Sequence, residues 1–213
     1  MKVLLLILSS NGEYYRAFKE TWKSYMNSHK HIDSFFIELH PDISSLEKDD
    51  NVLAFEGEES FMPGCLQKTV LAMQKYIDEY DYVVRTNLSS VVHLPRLYKC
   101  LEQISDPLYY AGVNGYHQGI RYCSGALFIM SKNVASYVSQ HADINSSLID
   151  DVCIGHLITQ KYGLIHGSLH RQESILGNIE IEDPTCFHYR FKSSNRHHDI
   201  KLHREYTELI YFQ

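Results

Sequence analysis

Three short polar segments carry the side chains best suited to binding a small ligand. They are Ser9-Ser10-Asn11-Gly12, Asn87-Leu88-Ser89 and the region from Tyr122 to Gly125. The rule that ligands bind beyond the carboxyl ends of the strands of an open parallel sheet selects all three. The first segment has no G-x-G-x-x-G or Walker pattern, so it predicts neither a dinucleotide loop nor an ATP loop. Its small polar groups can still contact a nucleotide base and ribose, although such a turn can also be only a turn.

Five longer phrases occur in a fixed order along the chain and carry a family resemblance. They are Arg16-Ala17-Phe18-Lys19-Glu20-Thr21-Trp22, Lys68-Thr69, Tyr82-Val83-Val84-Arg85-Thr86-Asn87, Tyr122-Cys123-Ser124-Gly125-Ala126 and Asp150-Asp151-Val152-Cys153-Ile154-Gly155. Together, over roughly residues 3–190, they resemble the beta-1,3-glycosyltransferase and Fringe family of nucleotide-sugar-dependent enzymes. By its size and the lack of a predicted membrane anchor, the chain also resembles the virus-encoded glycosyltransferases of chlorella viruses, which act on capsid glycans in the host cytoplasm. The resemblance implies a GT-A fold and a UDP-sugar donor.

The resembled family carries an acidic D-x-D cluster just after Thr86, where it binds a divalent cation that bridges the donor's two phosphates. This chain has Asn87-Leu88-Ser89 there, and Asn and Ser offer neutral oxygen ligands that bring no negative charge. The resemblance implies a His ligand near the end of the domain, for which His188 is the candidate, with His166 and His170 as alternatives. Because imidazole suits Mn²⁺ better than Mg²⁺ or Ca²⁺, Mn²⁺ is the expected cofactor. Asn87 and Ser89 could instead form only a strand-ending turn, and His188 could be a packed core residue.

Asp150 and Asp151 directly precede an apolar helical run. Acidic residues in the first turn complement the helix dipole, and that alone could explain both. The resemblance implies a sharper role, in which Asp151 is the general base at the acceptor hydroxyl and Asp150 occupies a position that is usually Glu. The stereochemistry of transfer stays open, because a retaining reaction needs no strong base.

The remaining candidate residues follow from the resemblance. Arg16 and Lys68 are candidates for the diphosphate or nucleotide side, although cations on amphipathic helices are often simply solvated. Arg85 replaces the usual Lys before Thr86 and keeps the positive charge. Ser124 and Gly125 lie in the segment that lines the donor and acceptor cleft, where a glycine lets the backbone approach a sugar closely. The complete set of expected nucleotide-binding residues is Ser9, Ser10, Asn11, Arg16, Lys68, Arg85, Thr86, Ser124 and Gly125.

The elements that must position these residues alternate between strand and helix patterns. Strands are predicted at 2–8, 32–39, 51–55, 81–86, 108–113 and 126–130, and helices at 14–27, 65–80, 95–104, 132–141 and 149–162. This alternation predicts an α/β fold with a central, mainly parallel (mixed) sheet and helices on both faces. We expect one domain over residues 1–213, with a nucleotide-binding half at about 1–95 and an acceptor half at about 96–195. The tail from His197 to Gln213 is charged and weakly amphipathic and stops without a helix-ending signal, so the chain could be the first domain of a longer one.

The composition of the chain excludes some classes of binding partner and location. The formal charge of −6 over 213 residues argues against nucleic acid as a partner. Five dispersed cysteines without a C-x-x-C pair favour reduced thiols in a cytoplasmic protein. The apolar run Val3–Leu8 is too short for a membrane span and is better explained as a buried strand than as a secretion signal.

The sequence therefore predicts a glycosyltransferase that moves a sugar from a UDP-sugar to a hydroxyl of a glycan or glycoprotein with the help of Mn²⁺. Two alternatives stay open. The chain could be an inactive UDP-sugar-binding relative, because the acidic cluster is missing at Asn87 and Ser89. It could also be a non-enzymatic α/β module used for protein contacts.

Overall fold

The computed structural model describes residues 1–10, 12–43, 47–49, 51–163, 166–173, 183 and 185–212. The strands within this part of the chain are β1 Val3–Leu8, β2 Ile32–His40, β3 Glu47–Asp49, β4 Val52–Glu56, β5 Tyr82–Asn87, β6 Ser90–Val92, β7 Tyr110–His117, β8 Ile120–Ser131, β9 His166–Ser168, β10 Gln172–Glu173 and β11 His188–Arg190. The α-helices are α1 Glu13–Lys23, α2 Gly64–Tyr76, α3 Leu94–Leu101, α4 Lys132–His141, α5 Asp150–Tyr162 and α6 Arg196–Tyr211.

The central sheet has the strand order β3-β4-β2-β1-β5-β8-β7-β9. Strands β4, β2, β1 and β5 run parallel to one another, whereas β8 runs antiparallel to both β5 and β7. The central sheet therefore has parallel strands in the middle and antiparallel pairings on either side of them, which confirms the predicted α/β fold with a mixed sheet. The carboxyl ends of β1, β2 and β5 therefore meet at one edge, as the placement of the polar segments requires.

Strand β1 shows why its sequence is apolar without alternation. Val3, Leu5 and Ile7 pack into a core shared with α1, α3 and α6. Leu4 and Leu6 point to the opposite face and pack into a second core with α2, α4 and α5. A strand covered by helices on both faces needs apolar side chains at every position, so the prediction of helices on both faces is also confirmed.

A smaller sheet, in the order β10-β11-β6, lies beside the central one. Its strands are two or three residues long, and no hydrophobic period marks them in the sequence. Strand β6 pairs antiparallel with β11 so that Ser90 lies opposite Arg190, and the backbone N–H of Phe191 donates to the carbonyl of Ser89 at 2.8 Å. This sheet brings residues near 190 against the end of β5.

The charged tail forms helix α6. The side chain of Asn195 caps its first turn by accepting a hydrogen bond from the backbone N–H of His198 at 3.1 Å. Leu202 and Tyr206 are buried in the same core as Phe18 and Trp22 of α1. Weak amphipathicity was therefore enough for a packed helix. None of the helices in the described ranges is both long and apolar enough to cross a bilayer.

Candidate functional site

A cleft of about 610 Å³ opens at the carboxyl ends of β1 and β5, next to the start of α5. The candidate residues from the sequence that line it are Ser9, Ser10, Lys68, Arg85, Asn87, Ser89, Ser124, Gly125, Asp150 and Asp151. Residues separated by more than 140 positions are thus brought to one edge of the sheet, as the strand order predicts. The role of each residue follows from its contacts.

Asp151 is a half-buried carboxylate on the wall of the cleft, in the first turn of α5. Its Oδ2 accepts a hydrogen bond of 2.7 Å from the backbone N–H of Gly125, and its Oδ1 accepts one of 2.9 Å from the N–H of Val152. Burial, and then the charge of Asp150, raise the pKa of Asp151 above its usual value, although the two N–H groups and Arg85 oppose the shift. A fixed carboxylate with a raised pKa suits a proton acceptor.

Asp150 and Arg85 form a buried ion pair behind Asp151. Arg85 Nη2 donates to Asp150 Oδ2, and only 2% of Arg85 and 5% of Asp150 is exposed. The same guanidinium donates to the carbonyl of Gly125 through Nη1 and lies over the ring of Phe128, with Cζ 5.3 Å from the ring centroid. The two charges neutralise each other. Through Arg85 the pair also fixes the backbone of Gly125, whose N–H group holds Asp151.

Gly125 is the point where these contacts meet. A Cβ atom at this position would collide with Arg85 Nη1 and would lie 3.1 Å from Asp151 Oδ2. The absence of a side chain therefore lets β8 approach both charged groups. The sequence predicts a glycine here so that the backbone can approach a sugar closely. Its contacts with Arg85 and Asp151 give a second reason for a glycine at this position.

Lys68 is buried at the floor of the cleft, and its charge is compensated. Its Nζ donates to Glu59 Oε1 at 2.8 Å and Oε2 at 2.7 Å, and to the backbone carbonyl of Ser9 at 2.7 Å. The amine thus ties the end of β1 to the loop before α2. Glu59, which the sequence reasoning did not select, neutralises the cation that was expected to face a diphosphate.

The buried acid Glu38 also contacts the end of β1. Ser9 Oγ donates to Glu38 Oε1 at 2.6 Å, and Lys19 Nζ forms an ion pair with the same carboxylate. Burial alone would raise the pKa of Glu38, but the hydrogen bonds from Lys19, Ser9 and His40 outweigh it and lower the pKa. Ser9 is therefore held on both its hydroxyl and its carbonyl, and Ser10 beside it lines the cleft.

The residues expected to bind a metal lie close together, but their donors are engaged with one another. Asn87 Oδ1 accepts hydrogen bonds from the hydroxyls of Ser89 at 3.0 Å and Ser90 at 3.1 Å. His188 is 1% exposed, and its Nε2 lies 3.0 Å from Ser90 Oγ. Burial, and then the charges of Arg171 and Arg190, lower the pKa of His188 well below its usual value. In the described part of the chain, no group of three His, Cys, Asp or Glu side chains is arranged to hold a metal ion.

This donor set does not fit a divalent cation. Asn87 and Ser89 bring no negative charge, and His188 is surrounded by cations rather than by carboxylates. Mn²⁺ dependence stays a prediction.

Three cations that the sequence reasoning missed also line the cleft. Arg190 ends β11, Lys192 follows it, and Arg196 begins α6. The side chains of Arg190 and Arg196 are 20% and 26% exposed. Arg190 and Lys192 reach the cleft because β11 pairs with β6, and the sequence holds no signal of that long-range pairing.

Two exposed aromatic rings flank the opening near the end of β1. Tyr15 in α1 is 43% exposed and Phe61 in the loop before α2 is 67% exposed, and both line the cleft. Exposed aromatic rings at a concave site are suited to stacking against a planar or ring-shaped ligand. Neither residue was selected from the sequence, because a single aromatic residue in a loop or a first helical turn has no distinguishing pattern.

The other candidates lie elsewhere. Arg16 is on the exposed face of α1 and does not line the cleft, and Thr86 is buried with its hydroxyl donating to the carbonyl of Ala126 at 2.8 Å. The exposed His170 pairs with Asp183 at 2.9 Å. Asn11 and the side chain of His166 lie outside the described residues.

No family model matches the sequence, and no curated protein matches it. The structure is similar to the crystal structure of a glycosyltransferase involved in the glycosylation of the major capsid of PBCV-1, with a TM-score of 0.53, 12% sequence identity, and coverage of 96% of this chain and 100% of that chain. A weaker similarity links it to the protein A197 from STIV, with a TM-score of 0.42, 10% identity, and coverage of 79% and 82% of the two chains. The first similarity shows that this chain has the fold of a glycosyltransferase.

Proposed function

We propose that the chain is a glycosyltransferase that moves a sugar from a UDP-sugar to a hydroxyl group of a glycan, with Asp151 as the general base. The observation that carries the proposal is the placement of Asp151. Its half-buried carboxylate, held by the N–H of Gly125, faces a cleft at the carboxyl edge of the sheet. The similarity in fold to a glycosyltransferase supports sugar transfer as the reaction in which this base acts.

The proposed reaction is a single displacement. The acceptor hydroxyl oxygen forms a bond to the anomeric carbon of the sugar as the bond from that carbon to the diphosphate oxygen breaks. The electron pair of the broken bond leaves with UDP, and the hydroxyl proton passes to a carboxylate oxygen of Asp151. A raised pKa makes Asp151 a stronger proton acceptor than an ordinary aspartate, provided that the pH is high enough to ionise it. Displacement from the opposite face inverts the anomeric configuration.

The donor side of the cleft supports a nucleotide. Tyr15 and Phe61 offer exposed rings next to Ser9 and Ser10, where a base and a ribose can be contacted by stacking and hydrogen bonds.

The acceptor class that we propose is the glycan of a glycoprotein. The likeness in fold to the PBCV-1 capsid enzyme supports a viral capsid glycan, made in a host cytoplasm, as the first acceptor to test.

The test is a panel of UDP-, GDP- and CMP-sugars incubated with the protein and a mixture of glycan acceptors, with and without Mn²⁺, and read by mass spectrometry. The expected result is a mass increase of one sugar residue with a UDP-sugar, with the product's anomeric configuration inverted in the NMR spectrum. Binding of UDP without transfer or hydrolysis would support the inactive UDP-sugar-binding alternative. No binding and no transfer with any donor would overturn the proposal.

A further inference from the structure

The cations Arg190, Lys192 and Arg196 lie beside the segment that the resemblance assigned to a metal. Strand pairing places Arg190 opposite Ser90, and the N–H of Phe191 donates to the carbonyl of Ser89 at 2.8 Å. Lys192 follows directly, and all three side chains line the same cleft as Asn87 and Ser89. Positive charge therefore occupies the side of the cleft where a metal ion would otherwise supply it.

These three charges influence one another. Burial, followed by the charges of Arg190 and Arg196, lowers the pKa of Lys192. Like charges held this close repel one another, and a bound anion would remove that cost. The cluster therefore has the electrostatics of an anion site.

The protein holds two of the cations in place. Asp199, which is 1% exposed, accepts hydrogen bonds from the N–H of Ser193 at 2.9 Å and from Arg196 Nη1 at 2.8 Å. The guanidinium carbon of Arg196 also lies 5.2 Å from the centroid of the Phe18 ring. Arg190 is fixed by its place in β11, and its buried Nε has no hydrogen-bond partner within the described residues. The rest of the Arg190 side chain is 20% exposed and lines the cleft, with Nη1 4.0 Å from Glu173 Oε1.

We propose that Arg190, Lys192 and Arg196 bind the diphosphate of the donor and replace the metal ion that the resembled family uses. This inference rests on the proposed function, because it assigns the diphosphate of a sugar nucleotide to the site. Guanidinium groups bind phosphate oxygens through paired, charge-assisted hydrogen bonds, and an ammonium group adds a compact positive charge. The same groups stabilise the negative charge that develops on UDP as the sugar leaves.

The test measures binding of three probes, UDP, uridine and inorganic pyrophosphate, by isothermal titration calorimetry in EDTA and in Mn²⁺. The wild-type protein is expected to bind UDP in EDTA within about threefold of its affinity in Mn²⁺, since the charge is supplied by the protein. Lys192→Gln is expected to weaken UDP and pyrophosphate by about tenfold or more, because one charge-assisted contact is lost. Uridine, which has no phosphate, is expected to bind Lys192→Gln and the wild type equally.

Lys201→Gln is the matched control, because Lys201 is 70% exposed on α6 and pairs with Glu205 rather than facing the cleft. It removes the same charge and is expected to leave all three affinities unchanged. Arg196→Gln is a second variant for the same binding measurements. Because this substitution also removes a hydrogen bond to Asp199, its melting temperature is measured to separate lost binding from lost folding.

The outcomes separate this inference from the proposed function. UDP binding only with Mn²⁺, or unchanged binding in Lys192→Gln, would overturn the cation site and leave the glycosyltransferase standing. Pyrophosphate binding that depends on Lys192, together with no binding of UDP or uridine under either condition, would support an anion site and overturn the UDP donor. Equal losses in Lys192→Gln and Lys201→Gln would show only a general charge effect and would overturn the cation site.

Discussion

Asp151 Oδ2 and the backbone N–H of Gly125 are joined by a hydrogen bond of 2.7 Å, which connects the first turn of α5 to β8 at the wall of the cleft. The contact orients the carboxylate without neutralising it, because the donor is an uncharged peptide group. Arg85, which could neutralise it, forms its ion pair with Asp150 instead. Two neighbouring acids in one helical turn are thus placed in different surroundings.

The first prediction concerns Asp151. Asp151→Asn keeps the shape of the side chain and an oxygen that can accept from Gly125, but it removes the proton acceptor. Transfer is expected to fall by about 10²-fold or more, while UDP affinity and melting temperature barely change. Asp143→Asn, at an exposed aspartate in the loop that follows α4, is the control. A stable Asp151→Asn protein with full transfer activity would remove Asp151 from the mechanism and would favour a retaining reaction.

The pH dependence of transfer follows from the same residue. The pKa of Asp151 is raised, so its carboxyl group stays protonated at pH values where an ordinary aspartate is ionised. A base must be ionised to act, and kcat/KM is therefore expected to rise with pH through a limb that lies above the usual aspartate pKa of about 4. A kcat/KM profile that is flat between pH 4 and 7, taken where the fold is intact, would contradict this assignment.

The second prediction separates Asp150 from its neighbour. Asp150→Ala leaves the buried charge of Arg85 without its carboxylate partner and is expected to cost about 3–5 kcal/mol of stability. The double variant Asp150→Leu with Arg85→Met is expected to recover much of that loss, because no buried charge is left unpaired. Denaturant unfolding measures both, and Glu205→Ala at the exposed pair on α6 is the control, with an expected effect within about 0.5 kcal/mol. If Asp150→Ala unfolds like the wild type, the ion pair contributes nothing to the fold.

The third prediction concerns the aromatic rings at the mouth of the cleft. Tyr15→Ala and Phe61→Ala are each expected to weaken uridine binding by about tenfold, which is the scale of one stacking contact with a base. Pyrophosphate binding is expected to stay the same, because it does not involve the base. Tyr116→Ala removes a more exposed ring that lies outside the cleft, with 73% of the residue exposed, and serves as the control. Unchanged uridine affinity in both cleft variants would place the base elsewhere.

The fourth prediction concerns acid stability and His203 of α6. His203 is fully buried, its Nε2 lies 3.0 Å from the carbonyl of Ser90, and burial lowers its pKa to about 4. The unfolded chain takes up a proton near pH 6.5, before the folded one does, so stability is lost as the pH falls from about 6.5 to 4. That loss amounts to about 3 kcal/mol from this residue.

His203→Gln is the variant that isolates this effect, because Gln can donate to the same carbonyl but does not titrate. The difference in unfolding free energy between wild type and variant is expected to shrink as the pH falls through this window. A difference that stays constant from pH 7 to 4 would show that His203 is not the group responsible.

The parts of the molecule that follow local rules could be predicted from the sequence. The apolar run Val3–Leu8 predicts a strand buried on both faces, and the helical period after Asp150 predicts α5. Together with the rule for open sheets, these elements bring Asp151, Ser9 and Asn87 to one edge. Many of the side chains around the site therefore follow from the amino-acid sequence and the geometry of parallel sheets.

The remainder depends on contacts between distant parts of the chain. Lys68 looked like a ligand-facing cation, but Glu59 in an irregular loop neutralises it. Arg190 reaches the cleft through a three-residue strand whose partner lies almost a hundred positions earlier. Neither a short loop nor a three-residue strand has a hydrophobic period, so the sequence offers no local signal for them.

The pairing of β5 with β8 has a consequence for dividing the molecule. Arg85 lies on β5, whereas Gly125 and Asp151 come after the largely exposed segment 102–107 that separates α3 from β7. Cutting the chain there would leave each fragment with an open sheet edge and only part of the cleft wall formed by Arg85, Gly125 and Asp151. If the proposed sugar transfer is correct, it would return only when the two fragments rejoin along β5 and β8, and the protein could then serve as a reporter of fragment complementation.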